Sequence, residues 1–313
     1  MARRAVIDVG TNSVKVLVAD ISGGSVIPVW ETGQQTRLGR GFYESHRLQA
    51  EPIAATAEAV ARFARHAGEH GAAQVRVVAT SAVRDALNRD ELIGAILRAS
   101  GLMTEVITGD TEAHWGFLGV TTDPDLAGRR LLIVDVGGGS TELILGMAGR
   151  VAYRRSFPLG SVRLHERFPT GDPPIREELV RVRTWLRGFL DAEVAEGLSG
   201  AMTEFGRPER VLGVGGTTAI LALMQAGVDG FDRGLVERAR FPMSILREWV
   251  EALWLETLEE RRRRRGLPSE RADVIPFGVV IYEALMERFE LGELSVSTRG
   301  LRFGALLEDA DGS

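Results

Sequence analysis

A short sequence unit occurs twice in this chain of 313 residues. The stretch VIDVGTNSVKVLVAD (6–20) aligns with IVDVGGGSTELILGM (133–147). The matched pairs are Asp8 with Asp135, Gly10 with Gly137, and Ser13 with Ser140. Each copy has the pattern of an apolar strand, a turn and a second apolar strand. Two copies that lie 127 residues apart, from Asp8 to Asp135, predict two similar domains with one such turn each.

Strands and helical patterns alternate through the rest of the chain. Apolar runs such as 75–80 and 210–214 are each followed by a segment with helical periodicity. This alternation predicts an α/β protein, with helices on the faces of parallel or mixed sheets. We expect a first domain of residues 1–123 plus a returning C-terminal helix at 299–313, and a second domain of residues 124–298.

The composition excludes several classes of function. The chain has no cysteine, so it has no disulfide framework, thiolate nucleophile or cysteine-ligated zinc. Its net charge is −5, and no stretch has the pattern of a signal peptide or a membrane span. We therefore expect a cytoplasmic protein that binds neither nucleic acid nor membranes. Lys15 is the only lysine, and the other basic side chains are arginines, which suit forked contacts with phosphate.

The two turns have the composition of a phosphate-binding site. Glycine lets backbone N–H groups approach an anion closely, and serine and threonine hydroxyls add donors. Asp8, Asp135 and Glu142 would repel phosphate unless a divalent cation lies between them and the phosphate oxygens. The pattern predicts a magnesium-dependent phosphoryl site, with Mn²⁺ as a second candidate. The alternative is a pair of hairpins with glycine-rich turns and carboxylates at their edges.

Other binding motifs fit poorly. The chain has no G-x-x-x-x-G-K-[ST] loop, and in GVGGTTA (213–219) Thr218 replaces the third small residue of a dinucleotide fingerprint. The stretch HAGEH (66–70) matches a zinc-protease pattern, but glycines interrupt and follow it, which is typical of a helix end.

Eight segments, in this order, resemble the exopolyphosphatase / guanosine pentaphosphate phosphohydrolase (Ppx/GppA) family of the actin/Hsp70/sugar-kinase superfamily. They are AVIDVGTNSVKVLVAD (5–20), ATSAVRDALN (79–88), VITGDTEAHWGFLGV (106–120), IVDVGGGSTEL (133–143), PLGSVRL (158–164), GVGGT (213–217), GLPSERADVI (266–275) and STRGLRFG (297–304). The resemblance implies two ribonuclease-H-like (actin-like ATPase) domains that face each other across a cleft. It also implies the short form of the family, without the C-terminal HD-like domain of longer relatives.

The resemblance implies hydrolysis of the terminal phosphate of inorganic polyphosphate. An alternative is a guanosine pentaphosphate (pppGpp) 5′-phosphohydrolase, whose specificity would depend on a base pocket near 213–217. Less favoured are a sugar or acid kinase and a non-catalytic sensor that binds polyphosphate or guanosine penta- or tetraphosphate. A homodimer is a further expectation, although no sequence stripe marks an interface.

Glu112 is the expected catalytic base, since it matches a glutamate that orients and deprotonates water in this family. By sequence alone, an acidic residue in the first turn of a helix would also suit the helix dipole. Thr111 departs from the family, because many relatives carry a second glutamate there. The expected metal-side carboxylates are Asp135 and Glu142, with Asp8 assisting.

The expected substrate-binding residues follow from the same segments. They are Thr11, Asn12, Ser13, Lys15, Arg84, Gly137, Gly138, Gly139, Ser140, Thr141, Gly215, Gly216, Thr217 and Arg299.

Several arginines, and the single lysine, also have structural interpretations. Arg84 could pair with Asp85 or Asp90, and Lys15 could be an outward residue on a strand. Arg299 and Arg302 could close the cleft or cap the last helix. The run EERRRRRG (259–266) suits either a helix end or a patch that contacts polyanions.

Overall fold

The computed structural model describes residues 2–308, so Met1 and the last part of the predicted C-terminal segment, 309–313, lie outside the described residues. The strands are β1 (Ala2–Val9), β2 (Ser13–Ser22), β3 (Ser25–Gln35), β4 (Gln74–Ala79), β5 (Thr104–Val106), β6 (Leu131–Val136), β7 (Thr141–Met147), β8 (Arg150–Phe157), β9 (Arg210–Val214), β10 (Arg240–Pro242) and β11 (Glu293–Val296).

The α-helices cover the segments between and after these strands. They are α1 (Phe42–Ser45), α2 (Ala50–Glu69), α3 (Ser81–Asp85), α4 (Arg89–Ser100), α5 (Gly109–Val120), α6 (Pro124–Ala127), α7 (Ser161–Arg167), α8 (Arg176–Phe189), α9 (Ala195–Phe205), α10 (Gly216–Ala226), α11 (Arg233–Arg238), α12 (Met243–Leu255), α13 (Leu258–Arg262), α14 (Ile275–Arg288) and α15 (Leu301–Glu308). A π-helical segment, Leu190–Val194, joins α8 to α9. Within residues 2–308, no helix combines the length and the apolar character needed to cross a membrane.

The described residues form two compact units. The first contains the residues up to Pro124 and those from Arg299 onward, and the second contains Asp125–Thr298. Each unit is built on one mixed sheet.

The sheet of the first unit has the strand order β3-β2-β1-β4-β5. Strands β1, β2 and β3 are antiparallel, whereas β4 and β5 add in parallel on the other side of β1. Because successive side chains of a strand point to opposite faces of the sheet, β1 contributes residues to two hydrophobic layers. Ile7 and Val9 pack in the layer that contains α2 and α4 residues, and Val6 packs in the layer that contains Trp115 and Phe303.

The sheet of the second unit has the strand order β10-β11-β9-β6-β7-β8. Strands β6, β7 and β8 are antiparallel, and β9 lies parallel to β6. The order β8-β7-β6-β9 therefore repeats the order β3-β2-β1-β4, with the duplicated sequence unit at the same place in each sheet. The predicted α/β class with two similar sheets is confirmed.

The helical periodicity of residues 243–262 predicts one continuous helix, but the structure has two there, α12 and α13. The chain leaves the helical path after Leu255 and starts α13 at Leu258. Thr257 Oγ1 accepts a hydrogen bond from the Glu260 N–H, and the Glu260 carboxylate accepts one from the Thr257 N–H. This capping box stabilises the start of a separate helix at Leu258. One continuous helix through Thr257 could not form it.

The arginine run 261–265 begins in the last turn of α13 and makes the contacts of a helix end. Arg261 is buried and donates to the carbonyl oxygens of Leu253, Glu256 and Ala272. The neighbouring arginines form ion pairs, which are Arg262 and Arg263 with Glu259, Arg264 with Glu256, and Arg265 with Asp229. These contacts favour the structural interpretation of the run.

Glycines allow α15 to lie against α5 at very short range. A Cβ atom added to Gly304 would lie 2.1 Å from the Trp115 carbonyl oxygen, whereas one added to Gly68 in α2 would meet nothing within 4 Å.

We expect Gly304→Ala to lower the free energy of unfolding by about 1–3 kcal/mol, because α15 must move away from α5. Gly68→Ala should instead raise it by about 0.5–1 kcal/mol, since alanine favours helix. Urea unfolding of both variants checks this pair, and a stabilised Gly304→Ala protein would contradict it.

Candidate active site

Two carboxylates lie side by side in the second unit. Asp135, near the end of β6, is directly opposite Glu142, near the start of β7, in the antiparallel register, so both side chains leave the same face of the sheet. Glu142 is only 2% exposed, and its Oε1 accepts a hydrogen bond of 2.6 Å from Ser156 Oγ. Like charges directly opposite each other destabilise a sheet. A cation at this position would remove that repulsion.

The Asp135–Glu142 pair fits a magnesium ion. Across residues 2–308, no group of three or more His, Cys, Asp or Glu side chains is arranged to hold a metal. Mg²⁺ does not need such a group, because it usually keeps several waters and binds through one or two carboxylates together with substrate phosphates.

The loop after β6, residues 137–140, turns its carbonyl groups toward the start of α7. The hydrogen bonds run from Ser161 N to Gly137 O (3.0 Å), from Val162 N to Gly138 O (2.9 Å), from Arg163 N to Gly138 O (3.1 Å), and from Arg163 Nε to Gly139 O (2.9 Å). The N–H groups of Gly138, Gly139 and Ser140 make no hydrogen bond to another described residue. With the carbonyls held on one side, these amides can act as an anion cradle.

The turn in the first unit is held in the same way. Gly10 N donates to Ser13 O at 3.0 Å, as Gly137 N donates to Ser140 O at 2.9 Å. The outer carbonyls are again bound, Thr11 O by Gly39 N and Asn12 O by Thr36 N and Arg37 N. Thr11, Asn12 and Ser13 are all buried, and Asn12 Nδ2 has no hydrogen-bond partner among the described residues.

A Leu-Gly pair supports each turn, a role that the sequence alone did not indicate for either pair. Leu38-Gly39 follows β3, and Leu159-Gly160 follows β8. A Cβ atom at Gly160 would lie 2.4 Å from Gly138 O, and one at Gly39 would lie 2.3 Å from Thr11 Cγ2. The hydroxyl of Thr141 donates to Leu159 O at 2.6 Å, so this predicted substrate contact anchors the supporting segment. The recurrence of Leu-Gly after the third strand of each copy is the signal that could have revealed this role.

The two copies differ in charge at one matched position. In the first unit, Lys15 on β2 is directly opposite Asp8 on β1. At the matched position of the second unit, Glu142 on β7 is directly opposite Asp135 on β6. Lys15 is therefore not an isolated outward residue. Burial raises the pKa of Asp8, and the positive charges of Lys15 and Arg302 partly oppose this increase.

Arg84 and the predicted base Glu112 contact each other in the first unit. Arg84 Nη1 is 3.1 Å from Glu112 Oε2 and also donates to the Ile107 carbonyl oxygen at 3.1 Å. Asp85 lies at 4.0 Å from Arg84 Nε, the edge of ion-pair range. Glu112 lies in the first turn of α5, where Thr108 caps the helix by accepting from Thr111 N.

Arg299 and Arg302 tie the last helix to neighbouring segments of the same unit. Arg299 Nη1 donates to the Thr122 carbonyl oxygen at 3.3 Å, and its guanidinium lies over the Phe303 ring. Arg302 Nη1 donates to Val16 O at 2.9 Å. Through these contacts the two arginines hold α15 in place within the first unit.

The third glycine-rich turn, at the start of α10, borders Asp135. Gly215 has a φ of 91°, and a Cβ atom there would lie 2.5 Å from Asp135 Oδ1. The following Gly216 begins α10, and the side chain of Thr217 is 1% exposed and packs against Gly278. The turn thus makes room for a carboxylate, and Thr217 points into the protein interior.

Comparisons with known proteins agree with this arrangement. The profile of the Ppx/GppA phosphatase family matches residues 17–312, and the chain belongs to this family. Exopolyphosphatase 2 of Mycobacterium tuberculosis is 34% identical over 322 residues, which span 98% of each chain. Exopolyphosphatase 1 of Mycobacterium leprae is 28% identical over 310 residues, which span 99% of this chain and 90% of that protein.

Solved structures of the family show the same fold. The Ppx/GppA family member of Aquifex aeolicus superimposes with a TM-score of 0.78 at 32% identity, covering 99% of this chain and 97% of that one. An exopolyphosphatase of Cytophaga hutchinsonii gives a TM-score of 0.87 at 27% identity, covering 99% and 98%.

The raised pKa of Asp8 has a consequence for stability. The folded state binds this proton more tightly than the unfolded chain, so ionisation of Asp8 lowers the free energy of unfolding as pH rises through the raised pKa. Without added metal, Asp8→Asn should therefore unfold at a higher temperature than wild type at pH 7.5. The difference should shrink as the pH falls toward about 4, where Asp8 is protonated in the folded state and about half protonated in the unfolded chain. Thermal scans in EDTA test this, and a variant that is less stable at pH 7.5 would refute it.

Proposed function

We propose that the protein is an exopolyphosphatase, a hydrolase that releases the terminal phosphate of inorganic polyphosphate. The observation that carries this proposal is the placement of two adjacent carboxylates, Asp135 and Glu142, at the two ends of a loop whose amide groups are left open. Carboxylates beside an anion cradle suit a substrate that arrives with a divalent cation. The relatives named exopolyphosphatase, which match along nearly the whole chain, support the same substrate.

Asp135 and Glu142 are the residues that would hold Mg²⁺, with Asp8 assisting and Mn²⁺ as the alternative ion. When bound, the ion neutralises negative charge on the phosphate oxygens. A need for metal agrees with the general metal dependence of the family. Asp8 has Lys15 and Arg302 as nearby positive charges, so its carboxylate depends less on the ion than the Asp135–Glu142 pair does.

The cradle residues bind and orient the phosphates. We assign phosphate binding to the amides of Gly138, Gly139 and Ser140 in the second unit, and to Thr11, Asn12 and Ser13 in the first. Lys15 would contribute a positive charge beside the latter group. Because the supporting segments fix both loops before substrate arrives, little reorganisation accompanies binding.

Glu112 would act as the general base. Its carboxylate takes a proton from water while the water oxygen forms a bond to the terminal phosphorus atom. The bond from that phosphorus to the bridging oxygen breaks, which releases phosphate and a chain shortened by one unit. Arg84, at 3.1 Å, holds the Glu112 carboxylate in place and is available to the terminal phosphate.

The structure of the third turn favours polyphosphate over pppGpp. A base pocket near 213–217 would need room and polar side chains in this turn. Gly215 instead abuts Asp135, and the Thr217 side chain is buried against Gly278.

The role of Glu112 can be tested against its neighbour in the same helical turn. Glu112→Gln should lower magnesium-dependent phosphate release from polyphosphate by at least about 100-fold, since it removes the proton acceptor. Asp110→Asn removes the same charge from an exposed position in the first turn of α5 and should change the rate less than threefold. Equal losses in both variants would show that Glu112 acts only on the helix dipole.

Long polyphosphate, short polyphosphate and pppGpp should be compared in this assay, and faster release from pppGpp would overturn the substrate assignment.

The support of the loop by Gly160 gives a second test. Gly160→Ala places a methyl group 2.4 Å from the Gly138 carbonyl oxygen, so the loop must shift. Because a displacement of about 1 Å can slow an enzyme about 100-fold, we expect a loss of this order in kcat/KM. Gly128→Ala, where an added Cβ meets nothing within 4 Å, is the matched control. Far-UV circular dichroism should be unchanged in both variants, and a fully active Gly160→Ala enzyme would argue against a fixed cradle.

A further inference from the structure

The hydroxyl of Tyr282 lies between the ends of two strands in the second unit. Tyr282 is on α14 and is 1% exposed. Its oxygen accepts a hydrogen bond from Val136 N at 3.3 Å and lies 3.0 Å from the carbonyl oxygens of Val134 and Val214. One side chain thus joins the backbone of β6 to that of β9.

These contacts lie where the two parallel strands separate. The pairing of β6 with β9 ends at Asp135 opposite Val214, after which β6 continues into the phosphate loop and β9 into the turn at Gly215. The Val136 N–H is at the last residue of β6, which is buried, and it lies 3.3 Å from the Tyr282 oxygen. The hydroxyl therefore adds a side-chain contact at the point where the backbone ladder between β6 and β9 ends.

Asp135 lies between the two residues that Tyr282 contacts on β6. Its neighbours along the chain, Val134 and Val136, both hydrogen-bond to the tyrosine hydroxyl. The contact with Val214 fixes the residue just before Gly215, and a Cβ atom added at Gly215 would lie 2.5 Å from Asp135 Oδ1. The hydroxyl therefore contacts the backbone on both sides of Asp135 and the end of β9 beside it.

We propose that Tyr282 is a positioning residue that fixes Asp135 for binding of the divalent cation. The proposal rests on the proposed function, in which Asp135 holds that ion. Tyr282 does not touch the substrate or the ion, and it acts through the backbone of β6 and β9.

The tyrosine remains a hydrogen-bond donor over the working pH range. Burial, together with the negative charge of Asp135, raises the pKa of Tyr282, so the hydroxyl keeps its proton. Phenylalanine can fill the same space but offers neither the proton nor the oxygen. Tyr282→Phe is thus the variant that isolates the hydroxyl.

The test measures Mn²⁺ binding directly, by the electron paramagnetic resonance signal of the free ion, together with steady-state kinetics. Removing a side chain that orients a metal ligand without touching the metal typically lowers metal affinity or activity by about 10- to 100-fold. We expect Tyr282→Phe to raise the Kd for Mn²⁺ at least about tenfold and to lower kcat similarly, with KM for polyphosphate at saturating metal changed less than threefold. Tyr153→Phe makes the same chemical change at a partly buried tyrosine beside Arg155 and should leave both quantities within twofold.

A double-mutant cycle separates positioning from general destabilisation. If Tyr282 acts through Asp135, adding Tyr282→Phe to Asp135→Asn should not weaken Mn²⁺ binding further. A Tyr282→Phe protein with a lower Tm but unchanged Kd for Mn²⁺ would overturn the proposal, and so would additive effects in the cycle. Failure of the proposed function has a different signature, because Asp135→Asn would then bind Mn²⁺ as wild type does, or wild type would release no phosphate.

Discussion

The repulsion between Asp135 and Glu142 is the constraint on which the arrangement of the second unit depends. Antiparallel pairing of β6 with β7 places the two carboxylates directly opposite each other, and Glu142 is almost fully buried. Two such groups are tolerated where hydrogen bonds and a cation offset their charge. Ser156 Oγ donates to Glu142, and Gly215, which has no side chain, leaves space beside Asp135.

The duplicated architecture shows how one scaffold supports two different electrostatic environments. Both turns have the same hydrogen bond across their base, and in both the outer carbonyls are bound by a segment that contains a Leu-Gly pair. One substitution at the matched position, Lys15 in place of Glu142, gives the first turn a positive neighbour and the second a negative one. The hydrogen bonds that hold the turn are therefore common to both copies, whereas a facing pair of carboxylates occurs in the second copy and a facing Asp-Lys pair in the first.

Much of the fold could be predicted from the sequence, because the relevant signals are local. The alternation of apolar residues in β1 and β6, and the glycines after each strand, indicate strand-turn-strand units without any tertiary information. The break at Thr257 was also readable from the T-x-x-E capping pattern, although the helical periodicity on both sides obscured it. The functional roles assigned to Glu112, Arg84, Arg299 and the cradle residues remain predictions.

The sequence by itself determined the duplication, the composition of the two turns and the membership of the family, since each depends on residues that are close together in the chain. Only the tertiary structure decided which distant groups meet. Arg84 reaches Glu112 from another helix, Arg163 binds the Gly139 carbonyl oxygen, and Tyr282 on α14 joins the ends of β6 and β9. The physical reason is that a hydrogen bond or ion pair is set by distance and direction in space, and a single sequence carries no information on which remote donor will satisfy a given acceptor.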